Sequence, residues 1–449
     1  MKVLRLIVAL TLAGLLWSPL AEAQERRLIR DAEIESIIRT YSTPLFQAAG
    51  LNPQDIDVYL IQDKSLNAFV AGGQNMFIHT GLLMRSDDPL QLIGVIAHET
   101  GHIAGGHIAG RIDEFKSTQK QVLASYLLGL GAALATGQPG LAVAIISGGQ
   151  DIALKGLLTY NRSQEQAADQ AAVKLLKATQ QSPRGLLEFM EILGDQEMLL
   201  SSSQDPYLRT HPLTRERVAF LEDQVRQSPY ADEPVRPDFV TMHGRMKAKL
   251  IGFLEPINKV FRTYPESDDS VESRYARAVA HYRRPDLARA LPLINGLIEE
   301  YPKDPFFLEL RGQMLYENGR IAESLPDYEA AVALRPDSSQ LTLALARAQI
   351  EVNDPALLDA ALGHLRATLD QEPRNGAAWR LSAIAHGRKG DTGMTALSLA
   401  EGALARRELE QAKDQARRAQ QILSTGSPGW LRAQDIENLA DQLSKKQDE

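Results

Sequence analysis

The chain of 449 residues has no cysteine at all, which excludes disulfides and lipid attachment through a cysteine thioether. Long apolar runs are missing too. The stretches Leu6 to Leu16, Val122 to Ala135 and Leu141 to Ile146 all fall short of the ~20 residues that a membrane-spanning helix needs. A surplus of basic residues is the third absence. The formal charge is −8, so the chain has no general electrostatic attraction for nucleic acid or anionic lipid, and membrane contact is expected to be peripheral at most. What remains is ordinary globular usage, 44% hydrophobic and 24% charged, in a chain too long for one hydrophobic core. Two domains are the expectation.

Residues 1–23 read as a secretory signal. Lys2 and Arg5 open it, the apolar stretch follows, and Ala21-Glu22-Ala23 forms an A-x-A site with cleavage after Ala23. Without that segment 47 bases face 56 acids. A protein exported without oxidising chemistry to brace it points to a Gram-negative periplasm.

Apolar spacing predicts a helix from Arg27 to about Tyr41, and strands at Asp57–Gln62 and Asn75–Thr80 separated by Asn67-Ala68-Phe69-Val70-Ala71-Gly72-Gly73. Asp88-Pro89 carries a start signal for a further helix, a cap residue followed by proline at the first position. The apolar blocks between Val122 and Gly149, broken by Gly137-Gln138-Pro139-Gly140, suggest a buried helical hairpin, a lid, or a surface that dips into membrane or greasy substrate. Asp232 to Asp238, with two prolines and no periodicity, is the linker candidate. Beyond it Tyr264-Pro265, Tyr301-Pro302, Arg335-Pro336 and Glu372-Pro373 recur at intervals of 37, 34 and 37 residues. Gly312, Gly319, Tyr328, Ala331, Trp379 and Gly390 sit where tetratricopeptide units want them, so residues 265–425 resemble such an array, with Arg311 and Ser324 replacing a usual leucine and alanine. The expected division is 24–231 for the first domain, 232–264 for a linker and connecting helix, and 265–449 for the repeats.

The chemistry is concentrated in His98-Glu99-Thr100-Gly101-His102, an HExxH element inside a helix apolar on nearly every side. Burying two imidazoles and a carboxylate is costly unless something pairs with them. Residues four apart share a helical face, so His98 and His102 can aim at one ion while Glu99 reaches a water beside it. A zinc held by three protein groups keeps one position open and lowers the pKa of water to about 7, and Glu99 is then the general base of peptide hydrolysis. Glu165 is the expected third ligand, on a helix that also carries Asp169 on the same face, placed to fix a histidine tautomer. Position 108 is Ile108, which excludes the three-histidine class; His107 lies roughly 140° round the helix from His102, so a supporting or packing role is expected. His211-Pro212 with Arg217 forms another cluster, in which His211 stabilises an oxyanion or fills the open position at rest.

Together His98, Glu99, His102 and His107, Asn67-Ala68-Phe69 with Gly72-Gly73, Glu165 with Asp169, and Thr210-His211-Pro212 with Arg217 resemble the HtpX/prenyl-protease superfamily of zinc peptidases over residues 30–225. The resemblance implies a mainly α chain: an α+β protease domain of the gluzincin type with a small sheet, followed by an α-solenoid. It implies one zinc per chain, and a substrate strand added to the sheet edge around residues 67–80. With a signal before it and repeats behind it, the chain resembles periplasmic members that also act as chaperones. These maintain outer-membrane β-barrel proteins beside the β-barrel assembly machinery, helping productive substrates and degrading unfolded or stalled ones, the lipopolysaccharide-export barrel included. The cysteine-free array departs from relatives that brace theirs with a disulfide. The rival expectation is a tetratricopeptide scaffold or holdase with a silent zinc site, against which the intact Glu99 argues. Deleting residues 265–449 is expected to impair substrate selection more than cleavage of a short peptide.

Overall fold

The structure, a computed structural model, describes residues 27–107, 162–199, 207 and 210–448. The expected signal at 1–23 and the apolar hairpin at 122–149 lie outside the described residues. Among the described residues no helix is long and apolar enough to cross a membrane.

The N-terminal part pairs a mixed sheet of four strands with helices on its inner face. The strands are β1 (Arg27–Ile29), β2 (Val58–Gln62), β3 (Ala68–Ala71) and β4 (Asn75–His79), in spatial order β1-β2-β4-β3. The β2–β4 pair is parallel and the other two are antiparallel. The helix expected from Arg27 is corrected here. Leu28 and Ile29 lie opposite Ile61 and Leu60. Ile29 packs towards the main core and Leu28 towards the other face of the sheet, the alternation of a strand rather than the stripe of a helix. The helix, α1 (Ala32–Ala48), begins only after Asp31, whose side chain caps the amide of Ile34. The segment from Asn67 to Gly73 is also more than a connection: β3 pairs with β4 through a turn in which Gly72 (φ 60°) and Gly73 (φ 101°) take left-handed backbone. After β4 the chain enters a short helix, α2 (Thr80–Arg85), that the spacing did not reveal.

Helix α3 (Pro89–Ala104) starts as its signal predicts, with Asp88 capping Leu90. It is buried from Gln91 through His102, between the sheet, α1 and two later helices, α4 (Arg162–Ala178) and α5 (Arg184–Leu199). Then come α6 (Arg215–Gln227) and α7 (Pro237–Leu254). The linker candidate is therefore brief: α7 begins at its second proline.

From Val271 the chain runs as successive helices, through Leu287–Glu300, Pro305–Glu317, Ile321–Leu334, Ser339–Glu351, Leu358–Gln371, Gly376–Arg388, Thr392–Ala405 and Leu409–Ile422 to Pro428–Asp448. Gly312 is a close-packing position, since a Cβ there would meet the Tyr328 ring at 3.1 Å. The two departures from the repeat pattern are accommodated. Arg311 forms a two-pronged ion pair with Asp327, and the Ser324 hydroxyl donates to the carbonyl of Ile321.

The two halves are joined by α7. Its Phe239, Met246 and Leu250 belong to the core of the first half, and Ala248 to that of the repeats. On the same helix Lys249, only 2% exposed, reaches Asp31 at 2.8 Å and Glu33 at 3.4 Å. Arg245 binds Glu33 at 2.6 Å and also Asp304, and the Tyr275 hydroxyl donates to Glu33 at 2.6 Å. Glu309 stands 3.8 Å from Lys249. A buried polar joint thus ties the first turn of α1 to the first repeat helices.

Candidate metal centre

Three segments converge on one buried point. Helix α3 supplies His98 and His102, one turn apart and both 0% exposed. Helix α4 crosses it at Gly101, where a Cβ would stand 2.9 Å from the carbonyl oxygen of Ala168. The small residue within HExxH is what lets the second backbone come close enough for Glu165 and Asp169 to reach the histidines. The third segment holds His211, just before α6, whose Thr214 caps Arg217.

The donor atoms cluster tightly. His98 Nε2 and His102 Nε2 are 3.1 Å apart. Glu165 Oε1 lies 3.3 Å from His102 Nε2, and its Oε2 3.5 Å from His98 Nε2. His211 Nδ1 lies 3.4 Å from His98 Nε2 and 3.0 Å from Glu165 Oε1. Ligands held tetrahedrally at zinc distances of ~2.0–2.1 Å stand about 3.3 Å from one another. The observed spacings straddle that value, so the donor set fits a small tetrahedral cation. One ligand atom from each of these side chains lies within 4.8 Å of all the others.

A second layer holds this set from behind. His98 Nδ1 lies 2.9 Å from Asp169 Oδ1, which leaves its Nε2 directed at the centre. Arg217 forks onto both oxygens of Asp169 at 2.6 and 2.9 Å, reaches Glu165 Oε2 at 2.6 Å, and donates to the carbonyl of Pro212. His107 Nδ1 is 2.9 Å from His102 Nδ1. It gets there by a different route from a continued helix: α3 ends at Ala104 and Gly106 (φ 61°) turns the chain back.

The electrostatics follow from this geometry. Burial pulls the His98 imidazolium down, but Asp169 and Glu165 outweigh it and hold its pKa up to about 9. Burial drives His102 well below the usual histidine range. Burial works against the Glu165 carboxylate, yet His211, His102 and His98 keep its pKa well below the ordinary value. For Asp169 the same opposition is won by Arg217 and His98. Glu99 differs. Fully buried, it has no hydrogen bond to either oxygen among the described residues, its Oε1 stands 3.4 Å from His211 Nε2, and burial pushes its carboxyl up.

The structure therefore brings together His98, Glu99, His102, His107, Glu165, Asp169, His211 and Arg217. The residues expected at a substrate edge lie on the sheet: β3 is its outer strand, packed against α3, and Asn67, Ala68 and Phe69 are buried there, with Gly72 and Gly73 at the turn. One neighbour escaped the sequence reading. The Tyr207 ring stacks on His211, with centroids 4.5 Å apart and 22° between planes, and Phe189 meets it edge-on. An aromatic one helical turn before a motif histidine was the only available signal.

Residues 29–225 match peptidase family M48, and residues 260–305 and 310–357 match the tetratricopeptide repeat. The chain is similar to the beta-barrel assembly-enhancing protease of Yersinia pestis, 24% identical over 373 residues, which cover 81% of this chain and 74% of that one. The protein of the same name from Escherichia coli is 28% identical over 201 residues, covering 44% of this chain and 40% of the relative. Metalloprotease LoiP of Escherichia coli is 26% identical over 187 residues, covering 41% of this chain and 69% of the relative.

Proposed function

We propose, from the premise that this chain is a metalloprotease with a peptidase family M48 domain at residues 29–225 and tetratricopeptide repeats behind it, that its metal is a single zinc ion and that it cleaves and assists outer-membrane β-barrel proteins in the periplasm. The observation that carries the reading is the convergence of His98, His102, Glu165 and His211 within 4.8 Å of one another, beside a buried Glu99 with no hydrogen-bond partner among the described residues. His98, His102 and Glu165 would hold the ion. Zinc, when bound, acidifies water and polarises a peptide carbonyl.

The chain's own residues do the rest. Glu99, kept basic by burial, accepts a proton from the attacking water at a carboxylate oxygen and hands it to the leaving amine. Asp169 fixes the ring of His98, and Arg217 fixes both acids. His211 supplies a fourth donor where a catalytic centre keeps an opening, which is the arrangement of an enzyme at rest. For a substrate to enter, His211 moves aside. On this reading β3 offers the edge to which an extended substrate strand adds, and the repeats select substrates and contact the β-barrel assembly machinery. The names of the relatives support that substrate class.

The test is an unfolded outer-membrane β-barrel incubated with wild type and with Glu99→Gln. Zinc-dependent fragments from wild type alone are expected, with the variant slower by about 10²–10⁴-fold. The closed donor set also favours a second reading, a holdase whose site is silent. Intact substrate with both proteins, and with His211→Ala as well, would support that reading against the protease. A His211→Ala variant that cleaves faster than wild type would establish the gate.

A further inference from the structure

A large cavity lies away from the metal centre, between α1, the starts of β2 and β4, and the repeat segments around 335–340, 370–375 and 404–407 with Arg432, Leu439 and Leu443; its volume is about 2140 Å³. Arg30 bridges to Glu372 and Arg335 to Ser36 across its margin. In a chain with net charge −8 this cavity goes the other way: eight arginines and six carboxylates line it.

Most of those arginines are matched within the chain, but among the described residues Arg39, Arg374 and Arg407 have no carboxylate partner. Arg39 is half-buried on the wall formed by α1, and its hydrogen bond goes to the neutral carbonyl of Pro53. Burial lowers its pKa by more than Asp57 and Glu35 raise it. Arg407 occupies the inter-helix turn where the equivalent turns place Gly319 and Gly390, and it takes the left-handed backbone (φ 57°) that those glycines adopt freely. A long cationic side chain stands there in spite of local strain. Arg374 is exposed on the loop before Gly376–Arg388.

We infer that this cavity is a docking site for an extended polypeptide segment bearing spaced acidic side chains. The interspersed carboxylates decide between anions. Glu35, Asp57 and Asp370 on the same walls repel a uniform polyanion such as nucleic acid, whereas a peptide can place single carboxylates at the unmatched arginines and neutral residues between them. The side-chain amides of Gln340 and Gln371 on the same walls offer donors and acceptors to the backbone of such a segment. The site does not depend on whether the histidine cluster takes a metal.

The test uses the full chain and a labelled, flexible peptide of about twelve residues, some 40 Å when extended, with glutamates spaced by serine and glycine. Fluorescence anisotropy compares it with the same peptide carrying glutamine or lysine instead. The glutamate peptide is expected to bind about 10-fold tighter than the glutamine one at low salt, and the advantage to fade as salt is raised. Arg374→Glu with Arg407→Glu, both exposed and so compatible with folding, should abolish the preference; Arg39→Gln should reduce it. Equal binding of glutamate and glutamine peptides, or a preference that survives the double variant, overturns the inference. Tighter binding of a single-stranded oligonucleotide or an anionic vesicle than of the glutamate peptide assigns the cavity to another class and also overturns it.

Discussion

Among the described residues buried charge is densest in two places, at the metal centre and at the joint between the halves. At the joint the chain neutralises itself: Asp31 and Glu33 face Lys249, and Glu33 and Asp304 face Arg245. At the centre Arg217 answers Asp169 and one oxygen of Glu165, while three ring nitrogens and the other Glu165 oxygen converge on one another, and among the described residues Glu99 has no hydrogen bond. The difference separates a strut from a receptor. Buried carboxylates paired within the chain cost little further and fix an orientation, whereas converging lone pairs are tolerable chiefly when a cation comes from outside.

Breaking the joint gives the largest expected effect. Lys249→Met takes the cation from Asp31, Glu33 and Glu309 and leaves the buried Glu33 to Arg245 and Tyr275 alone, and denaturant unfolding of the whole chain should register a loss of about 3–5 kcal/mol. A loss below about 1 kcal/mol would mean that water reaches these acids and that the joint is no strut. At the centre, Arg217→Gln should weaken zinc by about 10–100-fold in a chelator competition, because Glu165 and Asp169 lose the fork that aims them. Unchanged metal affinity would reduce Arg217 to a packing residue.

The smallest effect concerns pH. Burial pushes Glu309 up and Lys249 pulls it back; with Asp31 and Glu33 nearby its pKa stands at about 7. The native state therefore holds a proton that the unfolded chain, with a glutamate near 4.3, has released. Its contribution to stability is complete below about pH 4 and is lost as pH rises through 7. Glu309→Gln should flatten that decline, a change of roughly 1–2 kcal/mol between pH 5 and 8 once the partial exposure of the side chain is discounted. An identical slope in the variant would show that Glu309 does not carry the proton.

The centre was legible in the sequence because its residues obey local rules. HExxH needs only a helical repeat, Asp88-Pro89 marks that helix's start, and Glu165 with Asp169 repeats the same spacing. The strand at Leu28 and Ile29 was not legible because a two-residue apolar pair fits either periodicity; their partners Ile61 and Leu60, 33 and 31 positions away, decide it. Tyr207 and the grip of Arg217 on Glu165 depend on contacts between distant segments, and no spacing encodes them. The joint was invisible for the same reason. Lys249, Glu33 and Tyr275 each look like ordinary helical residues until tertiary packing removes the water around them.

Helix α7 gives its residues to both cores, and that changes what deleting residues 265–449 would measure. Such a deletion would expose Ala248 and strip Glu33 of Tyr275 and Arg245 of Asp304. Activity lost by the fragment would then report a weakened fold as much as a missing substrate selector. A joint built this way predicts a single melting transition for the two halves in a calorimetric scan of the full chain.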